Sequence, residues 1–203
     1  NQGPGVSVFG DDNTIGSVGA GGNVISGNTS TGIVFDTPSG FTPLRIRVQG
    51  NRIGVDAAGT SPLGNGGSGM VLWGNHHEIY DNVIGGNAFA GMSDHSYSNE
   101  ILRNHIGTNA LGDDLGNTLS GISLSGGNVQ VGDATNGNVI GFNDTGITVG
   151  GSSYNVTVQG NWIGTDATGA DLGNVSDGIY ASGAEYLIGG PAGTANGLSL
   201  IHI

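Results

Sequence analysis

The chain contains no cysteine and no lysine, and four arginines face sixteen acidic residues, giving a formal net charge of −12. The absence of cysteine excludes a disulfide framework, so burial and hydrogen bonding must close the fold. The absence of lysine, with a balance this acidic, excludes a nucleic-acid binder or a ligand of anionic lipid, because both need a cationic surface. Charged residues of either sign make up only 10% of the chain. No apolar run approaches the roughly 20 residues of a membrane-spanning helix, so membrane insertion is not expected.

What is abundant is glycine, 43 of 203 residues, with Val and Ile alternating against polar residues throughout. The segment 146–164, GITVGGSSYNVTVQGNWIG, shows the unit. Ile147 and Val149 share one side of a first short run, Val156 and Val158 one side of a second, and Asn161 and Ile163 one side of a third. A period of two argues strands, and three strands in so few residues leave no room for hairpins. The physical solution is one turn of a three-faced coil, which buries its apolar face only when stacked on copies.

The copies are present. Asn followed by x-Ile or x-Leu recurs at Asn23, Asn51, Asn82, Asn104, Asn138, Asn161 and Asn196, at spacings of 28, 31, 22, 34, 23 and 35. Summed in pairs the spacings come to 59, 56 and 58, so the repeat is a two-coil unit, one coil longer than the other. A Gly before an apolar residue opens the first strand of each coil, at Gly5, Gly32, Gly69, Gly91, Gly121, Gly146 and Gly178. The expected fold is all-β: a single-stranded parallel β-helix of about seven coils, one domain over residues 1–203. An inward Asn at each corner, bonding its amide along the stack, satisfies backbone groups that would otherwise be buried unpaired. Every second coil carries a long Gly/Asp/Thr loop after its third strand, at 54–65, 107–117 and 164–174. Coils 1, 5 and 7 carry another between second and third strands, as in 131–138.

The asparagine ladder, the GI-x-apolar strands and the segments GNWIGTDATGADLGN (160–174) and GNRIGVDAAGTSPLGN (50–65) resemble the right-handed parallel β-helix repeat proteins. That group includes pectate lyases, polygalacturonases, alginate epimerases and many large bacterial surface proteins. The two segments are most similar to the tandem units of long secreted bacterial proteins. The resemblance implies a right-handed coil and an extracellular or cell-surface location, and it covers nearly the whole chain. It does not extend to chemistry. The clustered calcium-binding Asp beside a basic residue of the lyases is missing, and so is the paired-Asp segment of the polygalacturonases, since Asp113-Asp114 falls in a turn loop. Both ends read as cuts through a longer repeat protein whose open coils invite self-association. Residues 198–203 (LSLIHI) read either as a seventh third strand or as a non-native tail, being similar to a translated sequencing adapter.

Counting back from each ladder Asn places side chains on common outward columns one strand spacing apart. By that register all four arginines, Arg45, Arg47, Arg52 and Arg103, fall on one face within three coils, with Glu78, Glu100, Asp81, His76 and His105. One reading is a sugar site: Glu78 and Glu100 about 5 Å apart as acid and base, Tyr80 and His105 as proton shuttles, and Arg47, Arg52, Asp81 and Arg103 as ligand contacts. The other is an ion-pair ladder, Arg47–Glu78 and Asp81–Arg103, on a solvated sheet. The outer column of the first strands carries Asp36, Trp73, His95 and Ser125, with Tyr180 one position off. Trp73 there, and Trp162 after a ladder Asn, read as sugar platforms, the other reading of Trp73 being a ring packed under a long loop. Asp94 falls at an inward position, so either its coil bulges or a polar group is buried. In His76-His77-Glu78 the alternation turns His77 inward, against a metal triplet. No cofactor is expected, though the loop carboxylates Asp56, Asp113, Asp114, Asp166 and Asp171 have the oxygen chemistry of a calcium site. The function expected is a non-catalytic stalk or polysaccharide-contacting segment; the alternative is a lyase, hydrolase or epimerase on uronate-type glycans.

Overall fold

The computed structural model describes residues 2–36, 42–190 and 199–200 of the chain. Its strands assort into three parallel sheets of seven, each sheet taking every third strand in chain order. The first sheet runs from Val6–Val8 to Ile179–Ala181, the second from Thr14–Ile15 to Ala184–Ile188, and the third from Val24–Ile25 to Ser199–Leu200. This is the parallel β-helix, and each coil contributes one strand to each sheet. Among the described residues there is one short 3-10 turn, Gly19–Gly21, and no α-helix. Ser199–Leu200 pairs in register with Trp162–Ile163, continuing the third sheet; Asn196 lies outside the described residues.

The alternation buries the inward residues of coils 2 to 6, while Val6 and Ile15 in coil 1 and Ile179 and Ala181 in coil 7 are only partly buried. Ile33, Phe35, Met70, Leu72, Ile79, Ile84, Met92, Ile101, Ile106, Ile122, Ile140, Ile147, Val158 and Ile163 are buried in one continuous core. The Asn ladder from Asn23 to Asn161 follows one rule. The backbone N–H and the Nδ2 of each Asn both donate to the Oδ1 of the Asn in the next coil, as Asn82 does to Asn104 at 3.0 Å each. The remaining Nδ2 proton closes the corner, Asn104 donating to the carbonyls of Ile79 at 2.9 Å and Leu102 at 3.1 Å.

A second ladder turns the corner from third sheet to first: Asn28, Asn65, Asn87, Asn117, Asn143 and Asn174. Its amides bond by the same rule, Asn87 Nδ2 donating to Asn117 Oδ1 at 2.9 Å and Asn117 Nδ2 to Asn143 Oδ1 at 2.9 Å. The corner from first sheet to second is built without a ladder. There Asp12, Arg45, His76, Ser98, Asn128, Asn155 and Glu185 stack in register, all left-handed with φ between 49° and 60°. No glycine occupies the column, so the stack itself holds arginine, histidine and glutamate in a conformation they rarely adopt alone.

Among the described residues, one inward position of the first sheet is polar. Asp94 is buried between Leu72 and Leu124 on the first sheet, so a polar group is buried there and its strand stays in register. Its carboxylate accepts the Ser96 N–H at 2.9 Å and the Asn99 Nδ2 at 3.0 and 2.9 Å, together with the Ser96 hydroxyl. Asn99 Oδ1 in turn accepts the His77 N–H at 2.8 Å. His77 points inward, as the alternation requires. Its Nδ1 accepts the Ile46 N–H at 3.1 Å, which leaves Nε2 to donate to the Trp73 carbonyl at 3.0 Å.

Burial holds the pKa of His77 below its ordinary value of 6.5, and it does the same to His105. The unfolded chain therefore takes up protons near pH 6.5 that the folded chain refuses. Stability is complete above that pH and declines as the pH falls toward the lower folded values. The melting temperature should drop between about pH 7.5 and 5.5, with net proton uptake on unfolding; a flat profile across that window would contradict it.

Candidate functional site

The outward column of the second sheet passes through Arg47, Glu78, Glu100, Gln130 and Thr157, paired strand to strand. Glu78 and Glu100 are direct cross-strand partners, as the spacing predicts. Their surroundings differ. Arg47 holds the Glu78 carboxylate through Nε at 2.8 Å and Nη2 at 2.7 Å, whereas Glu100 makes no ion pair among the described residues and lies exposed. His76, Ser98 and the two glutamates edge a shallow hollow of about 190 Å³.

At the next corner Asp81 and Arg103 occupy left-handed positions, φ 58° and 53°. Their side chains meet in a two-pronged ion pair at 2.8 and 2.9 Å. Tyr80 lies between the two arginines, its ring 6.0 Å from the Arg47 guanidinium and 5.3 Å from that of Arg103. The insertion of coil 5 reaches onto the same corner, Asn136 Oδ1 accepting Arg103 Nη1 at 2.9 Å. Arg45 is bound to Asp12 at 2.7 and 2.9 Å. The ion-pair ladder is thus built, with both proposed pairs formed. All of these groups are substantially exposed, so each pair contributes little to stability.

The register misplaces two members of the predicted cluster. Arg52 and His105 lie on strands of the third sheet, in the outward column Val24, Arg52, Val83, His105, Val139, Trp162. Counting forward from a ladder Asn crosses a corner, so residues before and after it face different directions. Trp162 is on this third face as well, half-buried, its ring pressed toward Gly137, where a Cβ would lie 3.1 Å from it.

The loop carboxylates are occupied by their own turns. Asp56 accepts the Thr60 and Ser61 N–H groups, Asp113 the Asn109 amide, and Asp114 the Gly116 N–H. Asp166 accepts those of Thr168 and Ala170, and Asp171 that of Gly173. These aspartates cap turns, and among the described residues no group of three His, Asp or Glu converges to hold a metal ion.

The first corner carries a line of exposed rings. Trp73 stacks on His95 with centroids 4.4 Å apart and an interplanar angle of 21°. His95 Nδ1 pairs with the Ser125 hydroxyl at 2.6 Å. Two residues beyond His95, Tyr97 begins a second pair: its ring lies 6.2 Å from that of Tyr154, two coils away. The glycine between them makes this reach possible, because a Cβ on Gly127 would sit 2.6 Å from the Tyr154 ring. Trp73, Tyr97 and Tyr154 are each 43% exposed, enough to offer a ring face to a ligand.

Comparison of the chain with family models, curated proteins and solved structures gives no match.

The outward, exposed placement of Trp73 follows from the alternation. Tyr97 and Tyr154 were missed, although both stand seven residues before a ladder Asn; extending the register one position further would have aligned them. Gln130 was missed because the insertion in coil 5 lengthens its distance to Asn138.

Proposed function

We propose that the chain is a non-catalytic segment of a secreted or cell-surface bacterial β-helix repeat protein, whose first corner contacts a polysaccharide. The observation that carries this reading is the aromatic line made of two offset pairs, Trp73 with His95 and Tyr97 with Tyr154, each aligned along the coil axis, with Trp73, Tyr97 and Tyr154 each 43% exposed. Saccharide rings lay their C–H faces on such surfaces, and a line parallel to the axis suits a chain better than a single sugar. The resemblance of 50–65 and 160–174 to secreted tandem units supports the location. The ion pairs of Arg47 with Glu78 and of Asp81 with Arg103 support a structural role for most of the charged face. Contact between coil ends of separate molecules belongs to the same reading.

One observation favours the enzymatic alternative, a lyase, hydrolase or epimerase. Glu100 lacks a cationic partner among the described residues and stands beside Glu78, His76 and Ser98 in the hollow.

Affinity electrophoresis in gels containing neutral and uronate polysaccharides, followed by assay for new reducing or unsaturated ends, separates the two. Retardation without new ends is expected, weakened about tenfold by Trp73→Ala, equivalent to about 1.4 kcal/mol, and unaffected by Glu100→Gln. Retardation unchanged in Trp73→Ala would overturn the aromatic line as the contact. Turnover abolished by Glu100→Gln would establish the alternative.

A further inference from the structure

The third face holds a groove that the polysaccharide reading does not use. Its floor is Arg52 and Val83, its walls are Ala58–Thr60 from the coil 2 loop and Asn109–Leu111 from the coil 4 loop, and its volume is about 190 Å³. The walls are tied together. Asn109 Nδ2 donates across coil 3 to the Gly59 carbonyl at 2.7 Å and also to Asp113 Oδ2 at 2.7 Å, while its Oδ1 accepts the Leu111 and Asp113 N–H groups. Both ends of the Asn109 amide are thus committed to holding the groove's shape.

Arg52 differs from the other three arginines of the chain. Arg45, Arg47 and Arg103 each hold a carboxylate, and Arg52 has none among the described residues. Its guanidinium lies along Gly59, where a Cβ would come within 3.2 Å of Nε. The acids in the two loops face away from it into their own turns, Asp56 onto the Thr60 N–H at 2.9 Å and Asp113 onto Asn109. A half-buried cation without a counter-charge among the described residues, on a protein of net charge −12, is left with its donors open. The same position under the loops of coils 4 and 6 is His105 and Trp162, so the scaffold repeats while the floor residue changes.

We propose that this groove binds one carboxylate group carried on a compact ligand with an apolar edge. The planar guanidinium matches a carboxylate through two parallel hydrogen bonds. Val83, Ala58, Ala110 and Leu111 cover the ligand's C–H surface, and the Thr60 hydroxyl stands at the wall. The strongly negative molecule disfavours a dianionic phosphate relative to a monoanion. A sugar acid and a simple aliphatic acid share this chemistry.

The chain has only four arginines and no lysine, so the arginine Nε–H region of a nitrogen–proton correlation spectrum resolves the question directly. Titration with D-glucuronate should move the Arg52 signal saturably and leave Arg45, Arg47 and Arg103 in place, and D-glucose, which lacks the carboxylate, should move none. Propionate binding as tightly as glucuronate would assign the site to simple acids, and glucuronate at least tenfold tighter would assign it to sugar acids. Arg52→Gln should remove the saturable shifts at Gly59 and Leu111. Leu111→Glu, at a position 78% exposed and so tolerant of change, supplies an internal carboxylate and should weaken glucuronate at least tenfold. Trp73→Ala should leave this binding intact, so failure here and failure of the aromatic line are read separately. Shifts shared by all four arginines without saturation, or binding unchanged in both groove variants, would overturn the proposal.

Discussion

Replacing Asn104 with Ala is expected to cost about 3–5 kcal/mol of stability, the range reached when a buried polar network is broken. Asn104 is fully buried, and its side chain serves both neighbouring coils. Its Oδ1 accepts the Asn82 N–H and Nδ2 at 3.0 Å each. Its Nδ2 donates to the carbonyls of Ile79 and Leu102 and to Asn138 Oδ1. Truncation leaves all of these partners buried without water to replace the amide, at about 1–3 kcal/mol per unsatisfied group, reduced by local relaxation. Asn104→Asp should also be damaging, since a carboxylate there faces three oxygens that expect a donor. Urea unfolding gives the loss, and hydrogen exchange should place the opened amides on the strands that flank Asn104. A loss below about 1 kcal/mol, the net worth of an ordinary hydrogen bond, would remove the ladder from its place in the fold.

The second large effect is expected from Gly91→Ala. A Cβ at Gly91 would lie 2.7 Å from the Gly121 carbonyl oxygen, 3.0 Å from Asn117 Nδ2 and 3.0 Å from Ile106 Cγ2. None of these can yield cheaply: the first is backbone of the next coil, the second a ladder amide, the third a buried core side chain. The same close approach recurs at Gly5, Gly32, Gly69, Gly121 and Gly146, with the next coil's glycine carbonyl 2.4–2.8 Å from the added carbon. Each glycine therefore sets the spacing of its coil on the next. The expected cost is about 2–4 kcal/mol, overpacking against parts that cannot relax. Gly3→Ala, where nothing lies within 4 Å, is the control and should be close to neutral. Equal melting temperatures for the two variants would contradict the spacing role.

These two effects fall on the part of the molecule that was plain in the sequence. Ladder Asn and strand-opening Gly each stand next to an apolar residue at a repeating distance, because the core they border has one solution per coil. The second ladder was harder to see. Asn28, Asn65, Asn87, Asn117 and Asn174 each follow a glycine, but they sit at the end of loops of unequal length, where counting from the other ladder loses register. The left-handed column from Asp12 to Glu185 has no common chemistry at all, since packing rather than residue type fixes its φ. At the charged face, the Arg47–Glu78 and Asp81–Arg103 pairs were legible because cross-strand neighbours follow from register. Arg52 and His105 were not, because a corner separates them from the residues counted with them. The stacking of Trp73 on His95 and the reach of Tyr154 over Gly127 depend on side-chain directions that no spacing encodes.

The asparagine-to-asparagine hydrogen bonds of both ladders point one way, from each amide to the oxygen of the asparagine in the following coil. The amide dipoles add along the axis and polarise one another. A cross-section through the solenoid at any coil therefore has two unlike sides: one presents asparagine oxygens that want donors, the other N–H groups that want acceptors. Two such sections are complementary only head to tail. At the asparagine columns, two identical sides brought together would oppose oxygen to oxygen or proton to proton, which disfavours a two-fold symmetric joint there. A head-to-tail joint of coil stacks, the kind the ladders favour, would be heterologous and directional, with no inherent closure to stop it.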